Sequence, residues 1–315
     1  MATPLTLLLP AFEHLRGGLA AAPEFARWLG RADALPRATA GKEAQLLRHF
    51  DVLPKSLPVA ALTRALDVDD AGYGAWLRCD PAHVRPDLTT ARLLAIGEGL
   101  ELTTDEAQAL LAPLKPLFGD AGMPITAPVA TRWYLTLPDD MRLPKFTAAD
   151  EVLGADLSQH LPEGPDGRRW RHLLNEAQVL LHQHPLNATR VAAGKPAVNS
   201  LWFWGGGRLP DSVRTTCSKV ASVDLLLRAL CRQARVECSA PPSLEAALDS
   251  YDLIDLRRVR DVAELERELL PMLLPRLKPR PSVLLDFADG VRFELRHAHR
   301  RRWLRRQLRD WPVGA

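Results

Sequence analysis

The segment "YDLIDLRRVRDVAELERELLPMLLPRLKPRPSVLLDFADGVRFELR" (residues 251–296) decides the fold. "YDLIDL" and "SVLLDF" are short apolar runs typical of buried strands, and the stretch between them has the period of an amphipathic helix. An Asp-Gly pair at 289–290 separates "SVLLDF" from "VRFELR", which predicts a tight antiparallel hairpin. A strand–helix–strand unit that ends in a hairpin predicts an α/β fold with a mixed sheet and flanking helices.

The same alternation extends back through the second half of the chain. "TRWYLTLP" (131–138) and "VNSLWFW" (198–204) predict strands, and "TTCSKVAS" (215–222) predicts a weaker one. "SVDLLLRALCRQA" (222–234) and "RRWRHLLNEAQVLLHQH" (168–184) predict helices, because their apolar residues recur at helical spacing. We therefore assign residues 121–315 to an α/β domain.

The first 120 residues predict a mostly helical N-terminal region. Apolar residues recur at three- and four-residue intervals in "PEFARWLGRA" (23–32), "PVAALTRALD" (58–67) and "TTDEAQALLAPLKPLF" (103–118). The exception is "WLRCDPAHVRPD" (76–87), which has no helical period and predicts an irregular loop.

Composition indicates a globular protein and names no partner. The 315 residues are 47% hydrophobic and 25% charged, with a net charge of +3. Four cysteines without a C-x-x-C spacing indicate free thiols in a reducing compartment. The apolar run "LTLLL" (5–9) has no positive segment before it, and no run reaches 18 apolar residues. We expect a cytoplasmic protein with no membrane partner.

Polar and ionisable side chains concentrate at a helix end and in the connection that follows it. Two histidines two residues apart, followed by Asn and Arg, suit an anion or a metal, but they also suit a solvated helix end. The pattern alone favours the helix end, since H-x-H needs a further ligand from elsewhere in the fold to make a metal site. The ligand-binding candidates are Glu176, His182, His184, Asn187, Arg190, Lys195 and Asn199.

The aromatic strand then runs into Gly205, Gly206, Gly207 and Arg208. A strand that enters a glycine-rich turn lets backbone N–H groups approach a phosphate. Neither G-x-G-x-x-G nor G-x-x-x-x-G-K-[ST] is present, so a dinucleotide fold and a P-loop are not indicated. A tight turn at the end of a buried strand is the alternative.

The C-terminal segment is strongly basic. Residues 296–309 hold seven arginines and two histidines and no acid. This charge favours a phosphate-rich partner or an acidic protein surface. The spacing of Trp303, Leu304 and Leu308 predicts a basic C-terminal helix, whose apolar stripe would dock it on the domain.

The segment "LPEGPDGRRWRHLLNEAQVLLHQHPLNATRVAAGKPAVNSLWFWGGGRLP" (161–210) resembles the bacterial regulatory proteins of RpfE type. That family is related to the cofactor-independent, archaeal-type phosphoglycerate mutases. The Asn-Glu pair on the helix, the H-x-H-P-x-N step, the G-K-P-A-V-N approach and the W-F-W-G-G-G ending match together. The narrower likeness to the mutases themselves rests on residues 190–207.

The resemblance implies an α/β relative of a two-metal phosphotransfer class, from which this chain departs. The mutases have an Asp-Gly start, a nucleophilic serine and a late motif rich in acids and histidines. Here "LLLPAFEHL" (7–15) has no Asp-Gly, and "RRVRDVAELEREL" (257–269) has no histidine. We expect a phosphoglycerate-mutase-like protein without the metal centre and without a cofactor. It would bind a small anion, or a protein partner, in a regulatory role.

The residues leave two alternatives. One is an active, metal-dependent phosphoglycerate mutase or phosphatase, with Asp80, His83, His182 and His184 as weak metal candidates. The other is a nucleic-acid-associated protein that works through the arginine-rich C-terminus. The sequence assigns no catalytic residue.

Overall fold

The computed structural model describes residues 4–87 and 90–312. The chain forms two compact units. Unit 1 comprises the chain up to Lys55 and again from Asp211 onward, and unit 2 is the inserted segment Ser56–Pro210. This division differs from the predicted one, because residue 120 lies inside unit 2. The sequence pattern could not show that the strand at residues 5–9 pairs with strands more than 240 residues later.

The secondary structure alternates along both units. The strands are β1 (Leu5–Leu9), β2 (Asp33–Ala34), β3 (Asp51–Leu53), β4 (Ala75–Pro86), β5 (Ala91–Ile96), β6 (Ile125–Val129), β7 (Arg132–Leu137), β8 (Ser200–Arg208), β9 (Ser212–Arg214), β10 (Lys219–Ala221), β11 (Glu237–Ser239), β12 (Leu253–Asp255), β13 (Val283–Phe287) and β14 (Arg292–Leu295). The helices are α1 (Pro23–Arg31), α2 (Lys42–Leu47), α3 (Val59–Asp67), α4 (Thr104–Leu111), α5 (Leu114–Asp120), α6 (Ala149–Val152), α7 (Gly164–His182), α8 (Leu186–Ala192), α9 (Leu225–Ala234), α10 (Leu244–Ser250), α11 (Val262–Glu264) and α12 (Leu270–Arg276). No helix among the described residues is long and apolar enough to cross a membrane.

Unit 1 is built on a seven-stranded mixed sheet with the order β11-β10-β12-β1-β13-β14-β2. β1 lies between β12 and β13 and is parallel to both. Leu5, Leu7 and Leu9 of β1 belong to a core with residues of α1, α10 and α12. Side chains alternate between the two faces of a strand, so Leu8 points to the opposite face.

The predicted mixed sheet and its closing hairpin are confirmed. β13 and β14 are antiparallel, with Leu285 opposite Phe293. Gly290 adopts a positive φ of 86° in the turn, which favours glycine. The backbone N–H of Val291 donates to Asp289 at 3.1 Å and closes the turn.

Unit 2 is built on a five-stranded antiparallel sheet around β4. β4 pairs with β5, β7 and β8, and β6 extends the sheet beyond β7. The prediction of an irregular loop over residues 76–87 is wrong, because nearly all of that segment forms β4. The polar residues of this segment suggested an exposed loop. Arg78 and Asp80 are in fact buried, and they neutralise each other through two hydrogen bonds of 2.9 Å.

The predicted C-terminal helix is also wrong. Only a 3-10 turn at His297–Arg301 forms, and described residues 302–312 contain no helix. Backbone and side-chain contacts hold this segment on α1 instead: the Leu308 N–H donates to the Ala26 carbonyl at 3.0 Å, and Arg302 donates to the Arg31 carbonyl at 3.0 Å. Trp311 stacks on Phe12 at 3.9 Å.

Candidate anion-binding site

Two of the predicted ligand-binding residues in unit 2 are asparagines whose side-chain amides bond to the protein backbone. The Asn187 amide donates to the carbonyls of Leu181 and Val198 and accepts from the Val198 N–H. Asn199 bridges the N–H and carbonyl of Val84, with both distances 2.8 Å. These amides join helix and strand in the way that backbone groups pair with each other.

Arg190 is also engaged within unit 2. It is 1% exposed, lies 2.8 Å from Glu106 and donates to the carbonyls of Pro196 and Leu100. Arg190 therefore holds the ends of α4 and α8 together.

The remaining candidates of that segment lie nearer the surface. Glu176 and His182 are exposed on α7, and His184 and Lys195 are partly buried. Arg208 forms an exposed ion pair with Asp139 at 2.6 Å. Their ligand-binding role stays a prediction.

The three glycines lie inside β8, where they pack closely against other residues. A Cβ at Gly205 would lie 2.8 Å from Cβ of Val59 in α3, and Gly205 has a positive φ of 65°. A Cβ at Gly207 would lie 2.8 Å from Pro58. Because glycine has no side chain, the start of α3 can approach the strand closely. This packing accounts for these glycines without a ligand.

The weak metal candidates Asp80 and His83 are occupied by protein groups. Asp80 accepts hydrogen bonds from Arg78 and from the Trp204 indole at 2.7 Å. Burial raises the pKa of Asp80 above its ordinary value of 3.8, although Arg78 and Trp204 act in the opposite direction. His83 Nδ1 lies 2.8 Å from the Ala197 carbonyl. Within residues 4–87 and 90–312, no three His, Cys, Asp or Glu side chains are placed to hold a metal ion.

Unit 1 places two carboxylates symmetrically at the carboxyl edge of its sheet. Asp255 of β12 and Asp286 of β13 are both register partners of Leu8 in β1. Register partners point to the same face, so both aspartates share the face of Leu8, and their strands lie two spacings apart, about 10 Å. The carboxyl edge of parallel strands is where open α/β sheets bind ligands.

Asp286 is neutralised by two residues that follow α2. Its side chain is fully buried. Arg48 donates to it at 2.7 and 3.0 Å, and His49 Nε2 lies 2.6 Å away. Burial acts to raise the pKa of Asp286, but the hydrogen bonds from His49 and Arg48 outweigh it and hold the pKa below 3.8.

Asp255 is neutralised in the same manner. Arg257 donates two hydrogen bonds of 2.8 Å to its two oxygens, and the Ser222 hydroxyl donates a third at 2.8 Å. Arg257 also lies 3.3 Å from Asp224. Burial again acts to raise the pKa of Asp255, but the charge and hydrogen bonds of Arg257, together with the hydrogen bond from Ser222, hold the pKa below 3.8.

A cavity of about 490 Å³ opens beside Arg48 and His49. Lys55 and Arg214 also line it; both are exposed, and neither forms an ion pair with a residue that the structure describes. Thr215 and Thr216 supply hydroxyl groups, and Asp51 is the acid among the lining residues. Cationic groups and hydroxyl donors around one cavity can bind a small anion by charge-assisted hydrogen bonds.

Sequence reasoning missed this site. "GKEAQLLRHF" (41–50) has a helical period, and nothing local links its Arg-His end to a strand 238 residues later. A signal was present in the two strands themselves, since "YDLIDL" and "SVLLDF" each carry an aspartate near the carboxyl end of an apolar run.

The fold and the site together define a two-unit α/β protein with a positively charged cavity beside its mixed sheet. No family model matches the chain. The chain is 25% identical over 169 residues to the 2,3-bisphosphoglycerate-independent phosphoglycerate mutase of Methanosarcina barkeri. The alignment covers 50% of this chain and 42% of that protein. It is 32% identical over 82 residues to a probable mutase of the same kind from Geobacter sulfurreducens. That alignment covers 24% of this chain and 21% of the relative.

One solved structure that aligns with the chain is also named a phosphoglycerate mutase. The cofactor-independent phosphoglycerate mutase of Thermoplasma acidophilum aligns over 94% of this chain and 90% of its own, with 16% identity and a TM-score of 0.45. The sequence of the chain is similar to 2,3-bisphosphoglycerate-independent phosphoglycerate mutases, and it spans less than half the length of the curated relatives it matches. The RpfE-type label is not confirmed.

Proposed function

We propose that this phosphoglycerate-mutase-like protein binds a small phosphorylated or other anionic ligand in the cavity of unit 1, without a two-metal catalytic centre. The observation that carries the proposal is that Arg48 and Arg257 donate hydrogen bonds to the two carboxylates at the sheet edge, Asp286 and Asp255. A regulatory role, in which ligand binding alters contact with a protein partner, completes the proposal.

The arginines bear on metal chemistry because of what two-metal catalysis requires. That chemistry needs carboxylate and imidazole ligands around two cations about 3.5–4 Å apart. Asp286 and Asp255 instead accept paired hydrogen bonds from Arg48 and Arg257. A divalent ion would have to compete with a guanidinium for each of these carboxylates, and breaking a buried ion pair costs about 3–5 kcal/mol. The sequence departures at residues 7–15 and 257–269 agree with this.

The cavity suits a small anion in size and charge. Its volume of about 490 Å³ lies within the range of about 300–1,000 Å³ that is usual for ligand pockets. No ion pair joins Lys55 or Arg214 to a carboxylate in the described part of the chain, so both supply positive charge to the cavity, although Asp51 lies opposite Arg214 across the pair of β3 and β9. Likeness to enzymes named for phosphoglycerate supports a phosphorylated ligand over other anions.

Calorimetric titration with inorganic phosphate and 3-phosphoglycerate tests the proposal, each with and without Mn²⁺. We expect binding that needs no metal and that weakens at least tenfold in Lys55→Gln and Arg214→Gln. Lys115→Gln, an exposed lysine in unit 2, is the matched control and keeps the affinity. Binding lost in Lys195→Gln but kept in Lys55→Gln would place the ligand in the segment 161–210 instead.

Activity assays separate the proposal from its alternative. Mutase or phosphatase turnover that depends on Mn²⁺ and disappears in His182→Ala would show an active enzyme. We expect no turnover above the protein-free rate.

A further inference from the structure

The C-terminal segment of unit 1 presents two apolar side chains to solvent. Trp303 is 73% exposed and Leu304 is 78% exposed. They are neighbours in sequence, in a part of the chain without regular secondary structure. Large exposed apolar groups at one place on a surface mark an interaction site.

The segment that carries these side chains is anchored on both sides. Before it, His299 is buried and lies 3.3 Å from Asp33, which also pairs with Arg302. After it, Leu308 packs on the core, and the Trp311 indole donates to Asp289 at 2.7 Å. Residues 303 and 304 therefore project from a held segment and are not part of a free end.

Arginines surround the exposed pair. The exposed members are Arg300, Arg301, Arg305, Arg306 and Arg309. Arg305 donates to the Ala32 carbonyl at 3.0 Å, and the other four form no ion pair with a residue that the structure describes. Residues 296–309 contain no acid, so this surface attracts anions over a distance of about one Debye length.

We propose that residues 300–306 bind an anionic lipid surface. Trp303 and Leu304 enter the interface between headgroups and acyl chains, and the flanking guanidiniums contact lipid phosphates. Tryptophan favours this interface, and a basic surface with apolar side chains is the pattern of proteins that lie on membranes without crossing them. Binding of this kind needs no membrane-spanning helix.

A nucleic acid is the competing partner. Its phosphates would also attract the arginines, and Trp303 could stack on a base. Leu304 has no aromatic face to stack, yet it is the more exposed of the two. A lipid interface, unlike a nucleic acid, would bury Trp303 and Leu304 together.

Co-sedimentation of the full chain with vesicles tests this proposal. We expect binding to vesicles of phosphatidylglycerol and phosphatidylcholine in equal amounts, and none to phosphatidylcholine alone. The double variant Trp303→Ser/Leu304→Ser should lower partitioning at least about tenfold. The triple variant Arg300→Gln/Arg301→Gln/Arg306→Gln should lower it about a hundredfold, since each arginine near an anionic surface contributes about fivefold.

Control variants and a second probe keep the test decisive. Tyr73→Ser removes another exposed aromatic, 89% exposed and in unit 2, and should leave binding unchanged. The substituted side chains are exposed, so thermal unfolding should match the wild type. Vesicle binding that is equal in wild type and double variant overturns the proposal. So does absence of vesicle binding together with binding of a single-stranded oligonucleotide.

Discussion

The pairing of Asp286 with Arg48 makes a quantitative prediction for stability. Asp286 is fully buried, and the Arg48 side chain is 13% exposed. Removing one partner of a buried ion pair leaves an uncompensated charge and costs about 3–5 kcal/mol. We expect Asp286→Asn to lower the free energy of unfolding by about this amount. Arg48→Gln should cost less, because His49 at 2.6 Å still contacts the carboxylate.

A double-mutant cycle isolates the interaction. The double variant Asp286→Asn/Arg48→Gln should be more stable than the sum of the two single losses predicts, with a coupling of about 1–3 kcal/mol. The assay is urea unfolding followed by circular dichroism. The control is Arg27→Gln, which breaks an exposed pair with Glu24 on α1 and should cost less than about 1 kcal/mol.

Two results would refute this reasoning. One is an Asp286→Asn variant that loses no more stability than Arg27→Gln. The other is strict additivity of the two substitutions, since groups that do not interact show no coupling. Either result would mean that Arg48 does not neutralise the carboxylate in the folded protein.

Other consequences can be measured on the same protein. The pKa values of Asp255 and Asp286 are held below 3.8 in the folded state. Their contribution to stability is therefore present above that value and is lost as the pH falls through the lowered pKa. The decrease in stability below about pH 4 should be less steep in Asp286→Asn, and identical slopes in the two proteins would argue against this contribution. Gly30→Ala places a Cβ 2.2 Å from the Arg306 carbonyl oxygen, so it should expose residues 303–311 to limited proteolysis, whereas an unchanged digestion pattern would show that the segment is not packed there. Gly205→Ala should lower the free energy of unfolding by more than about 1–2 kcal/mol, the cost of the left-handed backbone alone, as measured by urea unfolding; a neutral effect would contradict the close approach of α3.

Local patterns in the sequence predicted the elements that local forces determine. The hairpin at Asp289-Gly290 needed only a turn pair and two apolar runs, and α7 needed only its apolar stripe. β4 was missed because charged residues such as Arg78 and Asp80 are typical of exposed loops. Their mutual neutralisation, which allows both to be buried in a strand, is visible only in the structure.

The candidate site needed contacts that a local pattern does not contain. Arg48 and Asp286 are 238 residues apart, and they meet within unit 1 although the sequence of unit 2 is inserted between them. The basic tail was predicted as a helix from the spacing of Trp303, Leu304 and Leu308. Contacts with α1 outweighed that preference, and of these three residues only Leu308 packs on the core.

Arg48 and Arg257 hold the two buried carboxylates at the sheet edge of unit 1, and we propose that the cavity beside Arg48 binds an anion without metal. Titration of Mn²⁺ into the protein, followed by titration of 3-phosphoglycerate into the metal-free protein, tests it most directly. We predict no Mn²⁺ binding at neutral pH and metal-independent binding of the phosphorylated ligand, weakened in Lys55→Gln. Stoichiometric Mn²⁺ binding that is lost in Asp286→Asn, with ligand binding only in its presence, would contradict it.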